Sequence, residues 1–209
     1  EQMFIGRAAT PSDAPWMGPA WRPYPYDPVE AKRLLTAAGY PNGFELTMWV
    51  LPMPGTPWTA DVAEAVALDW EKLGLKVKRV VTTYDQVRTK MSDRNMAWHT
   101  FPTRFFSYDE PQDLVWTLFS TKGTIHHGYE STQLDDLAVK AAAETHYQKR
   151  TQLNKQIMQL FYDNYVSVPL AATNAIYGVN NRVGDWPQIQ GYMYAHYFEY
   201  ITPGPAAIR

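Results

Sequence analysis

YDPVEAKRLLTAAGYPNGFELTMWV, residues 26–50, and VAEAVALDWEKLGLKVKRVV, residues 62–81, together spell helix, strand, helix, strand. Asp27-Pro28-Val29-Glu30 opens the first helix. Asp27 is a capping residue, Pro28 suits the first helical position, and Glu30 is placed to reach back to the capping backbone. Ala31, Leu34, Leu35 and Ala38 then make one apolar stripe at helical spacing, and Gly39 stops the helix. Pro41-Asn42-Gly43 turns the chain into residues 44–50, where apolar and polar side chains alternate as in a strand. Beyond a Pro/Gly-rich loop at residues 52–57, Val62, Val66, Trp70 and Leu73 share a helix face, Gly74 ends it, and residues 75–81 form the next strand. Strand, crossover helix and strand at this spacing predict a parallel pair with a right-handed connection. The reading gives an α/β fold class and no function.

Further along stand YDEPQDLVWTLFS (108–120), YESTQLDDLAVKAAAET (129–145), KRTQLNKQIMQLFYDNYVSVPLA (149–171) and YFEYI (197–201). In this order and spacing, these pieces and the opening stretch resemble the family 5 extracellular solute-binding proteins, the receptors of dipeptide, oligopeptide and related ABC importers. The resemblance implies the C-terminal lobe of a type II periplasmic-binding-protein fold: α/β, with a central mixed β-sheet flanked by helices. It implies three spans: residues 1–26 as an irregular arm leading in from the hinge, 27–186 as the ligand-binding lobe, and 187–209 as a return segment towards an N-terminal lobe of the same parent protein. It further implies a small solute, peptide-like or organic-acid, caught between two lobes and handed to an ABC transporter permease. The expected location is the periplasm, or the outer face of a Gram-positive cell with a lipid anchor.

A chain of 209 residues fits one domain with a single sizeable core. Its 19 Lys and Arg against 21 Asp and Glu leave a net charge of −2, which gives no general attraction to nucleic acid or to an anionic membrane. Zero Cys excludes disulfides, thiol nucleophiles and thiolate metal sites. No apolar run approaches the roughly 18–20 residues that span a bilayer, so no membrane insertion is expected of this segment. Glu1-Gln2-Met3-Phe4 does not read as a signal peptide.

In chain order, residues 8–25 are rich in Pro and Trp without helical or strand period, and read as an arm over the domain surface. Tyr84, Val87, Arg88 and Met91 mark one side of a short helix. Residues 96–101 read as a third strand, with Met96, Trp98 and Thr100 opposite to Ala97, His99 and Phe101. Glu110-Pro111 restarts a helix through about Phe119. Leu134, Leu137, Ala138 and Ala141 mark another, and Leu153, Ile157, Leu160, Phe161 and Asn164 a longer one. Pro169 places the extended stretch after it at an edge or a strand entry, and residues 194–201 read as a last strand.

The side chains with chemistry reduce to one loop. There is no Gly-x-Ser-x-Gly, no His-Glu-x-x-His and no phosphate-cradling Gly-rich loop, so no enzyme and no cofactor are expected. His126 and His127 are adjacent and point apart in an extended segment, which speaks against a metal site. Asp135 and Asp136 lie at a helix start, where negative charge favours the dipole without catalysis. Arg104-Phe105-Phe106-Ser107-Tyr108-Asp109, in contrast, follows the third strand, and ligands of open α/β sheets collect outside strand carboxyl ends. It combines stacking area, a cation and a hydroxyl. The resemblance adds that peptide-binding members carry a Trp here and, three residues later, an Asp for the α-ammonium. Arg104 and Ser107 occupy those positions, and Tyr84 falls near another cleft aromatic. The rival reading, supported by 8 Trp and 14 Tyr, is a glycan-binding module that uses aromatic stacking.

Overall fold

The structure, a computed structural model, describes residues 2–5, 24–52, 58–104, 110–126, 128–170, 178–186 and 198–205. In chain order they form β1 (Gln2–Ile5), α1 (Pro28–Ala37), β2 (Glu45–Val50), α2 (Thr59–Lys72), β3 (Lys76–Val81), α3 (Tyr84–Ser92), β4 (His99–Thr100) and β5 (Pro102–Arg104). Then come α4 (Pro111–Leu114), which continues as a π-helical turn over Val115–Phe119, α5 (Thr132–Ala143), α6 (Tyr147–Asp163), β6 (Ser167–Pro169) and a 3-10 turn at Phe198–Tyr200.

The strands make two three-stranded sheets, in the orders β3-β2-β4 and β5-β1-β6. Every pairing between them is parallel: Glu45 to Val50 run beside Lys76 to Val81, and Thr47 faces His99. β4 passes through Phe101 directly into β5, so one extended run pairs with β2 in its first part and with β1 in its second. Gln2–Ile5 corrects the reading of residues 1–26 as irregular throughout. Its partners lie about a hundred residues or more further on, where local pattern gives no sign of them. β6 sits at its sheet edge, the place expected for a strand containing Pro169.

β2 is covered on both faces, and its alternation sorts the core. Leu46 and Met48 pack with Ala63 and Ala67 of α2 and with Leu75 and Val77. Trp49 and Leu51 turn the other way, to Val87 and Met91 of α3, Met96 and Phe101. The α2 stripe is centred one residue beyond the expected one. Ala63 and Ala67 are fully buried, while Val62, Val66, Trp70 and Leu73 flank them half-buried. Alanine at the centre lets the helix axis come close to the sheet. Of the side chains expected on one side of α3, Val87 and Met91 are buried, but Tyr84 and Arg88 are exposed. A third cluster lies among helices: Leu114, Val115, Leu118 and Phe119 meet Leu134, Leu137, Ala138 and Ala141 of α5 and Ile157, Met158 and Phe161 of α6.

The expected strand over residues 96–101 is shortened to β4 because Trp98 takes a left-handed backbone, φ 61°. That kink breaks the alternation, so Met96 and Phe101 join the same cluster, and the Trp98 ring stays 60% exposed.

Helix ends follow local chemistry. Asp27 accepts from the Glu30 amide at 2.9 Å, but Glu30 does not reach back. Its carboxylate pairs with Arg33 at 2.7 Å instead, because a guanidinium one turn on offers a charge-assisted bond. α1 and α2 both end in a Schellman motif: Tyr40 N donates to Leu35 O and Gly39 N to Thr36 O, as Leu75 N does to Trp70 O and Gly74 N to Glu71 O. α3 and α6 end in the same way with Arg94 (φ 55°) and Tyr165 (φ 50°) in the left-handed place. The turns after α1 and α2 touch through backbone. A Cβ on Gly43 (φ 74°) would run into the Gly74 carbonyl, and Lys32 Nζ bridges the carbonyls of Pro41 (2.9 Å) and Leu73 (2.8 Å) across the same junction.

The chain divides into two units, Glu1–Ala171 and Ala172–Arg209. Within the second, Val183 and Pro203 form an antiparallel bridge, fastened by Gly184 N to Thr202 O and Gly204 N to Arg182 O. Phe198–Tyr200 is a 3-10 turn, which corrects the last strand expected over 194–201 in its described part; residues 194–197 lie outside the described residues.

Two substitutions test these assignments. Gly43→Ala should cost about 2–4 kcal/mol, since left-handed strain adds to the clash with Gly74. Gly39→Ala, with open space around its Cβ, should cost only about 1 kcal/mol. Equal shifts in the denaturant midpoints of the two variants would refute the close backbone contact. Thr83→Ala should lose about 1 kcal/mol, because Thr83 Oγ1 accepts from Gln86 N while Gln86 Oε1 accepts from Thr83 N. An unchanged midpoint would remove the capping box.

Candidate functional site

Because the described strands run parallel, their carboxyl ends share one edge in each sheet. β2 runs out at Leu51 and Pro52, β3 at Thr82 and Thr83, and β5 at Arg104. The edge after β3 is set by the α3 cap. Thr82 Oγ1 donates to Gln86 Oε1 at 2.7 Å, and this locks the turn that delivers Tyr84 as the first helical residue, 40% exposed. Tyr84 therefore stands at a strand end with its ring available to solvent. The pattern Thr83-x-x-Gln86 was legible in the sequence as a capping box and went unread.

Arg104 closes β5, with its backbone opposite Ile5. Phe105, Phe106, Ser107, Tyr108 and Asp109 lie outside the described residues, and so does the Arg104 side chain. The described chain resumes at Glu110, whose carboxylate accepts from Arg150 Nε at 3.0 Å, Gln112 Nε2 at 2.6 Å and Asn154 Nδ2 at 3.3 Å. Sequence reasoning missed this cluster. Its signal was Asn154, an amide standing in the apolar register of Ile157 and Phe161 on α6.

The loop after the π-helical turn is built separately. Asp135 accepts from Thr121 N at 3.2 Å and from the Thr121 hydroxyl, so it fastens the loop as well as favouring the α5 dipole. His126 is buried against Glu130, and Glu130 also pairs with Arg94, which donates to Thr121 O at 2.8 Å. His127 lies outside the described residues. Among the described residues, no three His, Asp or Glu side chains gather as metal ligands, and no helix is long and apolar enough to cross a membrane.

Two cavities among the described residues lie elsewhere. One of about 1050 Å³ runs between α1 and α2, with Val29, Val66, Trp70 and Leu170 on its walls. The other, about 380 Å³, is bounded by Phe44, Leu75 and Trp98, the residues just before β2, β3 and β4. That is the amino edge of the sheet, opposite to Tyr84. Neither cavity includes a side chain expected to meet a ligand. The strand-end geometry weighs more than cavity size here, because α1 buries none of its residues fully and the groove beneath it follows from that.

Comparison with known proteins supplies the class. Residues 5–125, more than half of the chain, match the family described as bacterial extracellular solute-binding proteins, family 5 Middle. The chain is 27% identical to heme-binding protein A of Haemophilus influenzae over 170 residues, covering 79% of this chain and 31% of that protein. It is also 27% identical to the dipeptide-binding protein of Escherichia coli over 191 residues, covering 86% of this chain and 34% of the relative. Among solved structures, the ABC transporter-associated periplasmic binding protein DppA of Helicobacter pylori, in complex with the peptide STSA, superimposes with a TM-score of 0.59 at 25% identity over 73% of this chain and 30% of that one. The chain thus spans about a third of the length of these relatives, which are binding proteins of the type II periplasmic fold. It belongs to family 5 of the bacterial extracellular solute-binding proteins.

Proposed function

We propose that this chain supplies the carboxyl-terminal ligand-binding lobe of an extracytoplasmic receptor, which captures a small solute between two lobes and delivers it to an ABC transporter permease. The carrying observation is that the strands of each sheet run parallel, so that Thr82 to Tyr84 leave the carboxyl end of β3 in one sheet and Arg104 ends β5 in the other. That is where open α/β sheets bind ligands. The names of the relatives, a dipeptide-binding protein and a periplasmic protein holding a peptide, support capture of a peptide-like solute, and the Arg104 cation adds an organic acid as the other candidate. In this reading residues 27–186 are the lobe, 1–26 lead in from the hinge, and 187–209 return towards the other lobe, with the periplasm as the location.

The mechanism is binding and closure. Ligand contacts to both lobes stabilise the closed state, and the permease recognises that state. Tyr84 offers a stacking face, Arg104 a planar cation for a carboxylate, Phe105, Phe106 and Tyr108 apolar cover, and Ser107 and Asp109 polar contacts. No bond is made or broken, so the reading includes no catalysis. Ser107 stands where peptide receptors of the family carry an Asp, and a neutral hydroxyl gives a bond about half as strong as a charge-assisted one. The solute is therefore anionic or neutral in preference to a zwitterionic peptide.

A calorimetric screen of dipeptides, dicarboxylates and oligosaccharides on the full-length protein tests this. The expected result is micromolar or tighter binding of an anionic or neutral solute, weakened about tenfold or more by Arg104→Ala, with dipeptide binding gained in Ser107→Asp. Tight binding of ordinary dipeptides by the unmutated protein, indifferent to Arg104→Ala, would refute the preference. Micromolar oligosaccharide binding by the isolated 209-residue chain would favour a self-contained glycan module.

A further inference from the structure

The helix that carries Tyr84 is held by little packing. Of the nine residues of α3, Val87 and Met91 are buried and the rest are exposed. Two side chains one turn apart define a line along the helix, and a helix seated on a line is free to roll about it. A side chain stands about 5–6 Å from the helix axis, so a roll of about 10° moves it about 1 Å. A shift of that size is enough to loosen a binding contact. At the front of α3, Thr82, Thr83 and Gln86 fasten the helix to the end of β3. What stops the roll at the back is Arg94, in the turn that ends the helix.

Arg94 takes the left-handed place, φ 55°, which Gly39 and Gly74 fill after α1 and α2. A glycine there would avoid the strain of a side chain at positive φ, but it would bring no side chain. The guanidinium of Arg94 reaches across to the loop before α5. It pairs with Glu130 and donates from Nη2 to the Thr121 carbonyl at 2.8 Å. That loop is itself anchored twice. Thr121 donates its amide to Asp135 at the start of α5 at 3.2 Å, and Glu130 lies against the buried ring of His126. The strained residue thus ties the free end of a lightly packed helix to a fixed support, and observed strain of this kind points to a role beyond the turn itself.

We propose that Arg94 and Glu130 are positioning residues for Tyr84. Their pair pins α3 at the end opposite to Tyr84, so that the ring keeps its place beyond β3 without a solute having to supply that order. The consequence for binding rests on the reading of Tyr84 as a ligand contact, whereas the positioning itself is measurable without any solute.

The test uses Arg94→Gly and Glu130→Ala in the full-length protein. Glycine suits the left-handed place, so Arg94→Gly should melt at or above the wild-type temperature although the pair is lost. Its amide exchange over residues 84–92 should nevertheless be about tenfold faster, and fluorotyrosine placed at position 84 should give a shifted fluorine resonance. Glu130→Ala, which leaves the helix stop alone, should reproduce both changes. In calorimetry with the dipeptides, dicarboxylates and oligosaccharides of the screen above, Tyr84→Ala should weaken the probe that binds about tenfold, and Arg94→Gly about threefold. The double variant should be no weaker than Tyr84→Ala, because a residue that acts through Tyr84 has nothing to place once the ring is gone. Additive losses would overturn the proposal. So would exchange and resonance at wild-type values in either variant, or a fall in the melting temperature of Arg94→Gly with exchange faster along the whole chain, the mark of a merely structural pair. If Tyr84→Ala weakens no probe, the contact reading of Tyr84 fails. The exchange and fluorine measurements then decide alone: changes confined to α3 uphold the positioning role, and wild-type values refute it.

Discussion

A strand buried on both faces governs this fold. β2 has no solvated side, so it needs a helix above and a helix below, and right-handed connections reach both faces only if its neighbours arise in opposite directions. β3 lies on one flank after α2, and β4 on the other after α3. The two cores then sort themselves by the parity of the residue number along β2. The same constraint aligns the strand ends on one edge. The place of Tyr84 beyond the carboxyl end of β3 is thus a by-product of how β2 is buried.

The segment from α1 to β3 was legible because its punctuation is local. Asp27 and Pro28 start a helix, Gly39 and Gly74 stop two, and an alternating run between them has only one way to lie. Tyr84 owes its place at the head of α3 to equally local chemistry, whereas its reading as a ligand contact comes only from the resemblance to family 5 receptors. What escaped was decided by distant partners. β1 exists through pairing with residues near 102 and 167, and the shape of residues 96–101 depends on a left-handed Trp98 that no Gly or Asn announces. The Glu110 cluster joins three separate stretches. Only Asn154, a polar residue in an apolar row, hinted at it.

The charged side chains divide by what surrounds them. Arg79 lies between Glu64 and Glu71 on the α2 side of β3, where the hydrogen bond from Arg79 holds the Glu71 carboxyl below its usual range. Like Glu30–Arg33 and Asp69–Lys72, that pairing is on the surface, where salt screens it and the net gain is small. Arg150–Glu110 is different, because it is half-buried and two amides are aimed into it. Replacing surface pairs should change little, whereas the Glu110 pair leaves a charge stranded when either partner goes.

The four helix stops differ in what backs them. A glycine at the left-handed position ends a helix whatever else the chain is doing, so the limits of α1 and α2 are available to a chain with no tertiary structure. Arg94 and Tyr165 bring no such bias. Their stops are backed by partners from elsewhere, Glu130 and the Thr121 carbonyl for Arg94 and the Tyr24 ring, 5.3 Å away, for Tyr165. The limits of α3 and α6 thus depend on partners distant in sequence, whereas those of α1 and α2 are written locally. Residues 26–81 accordingly carry the limits of both their helices in local sequence.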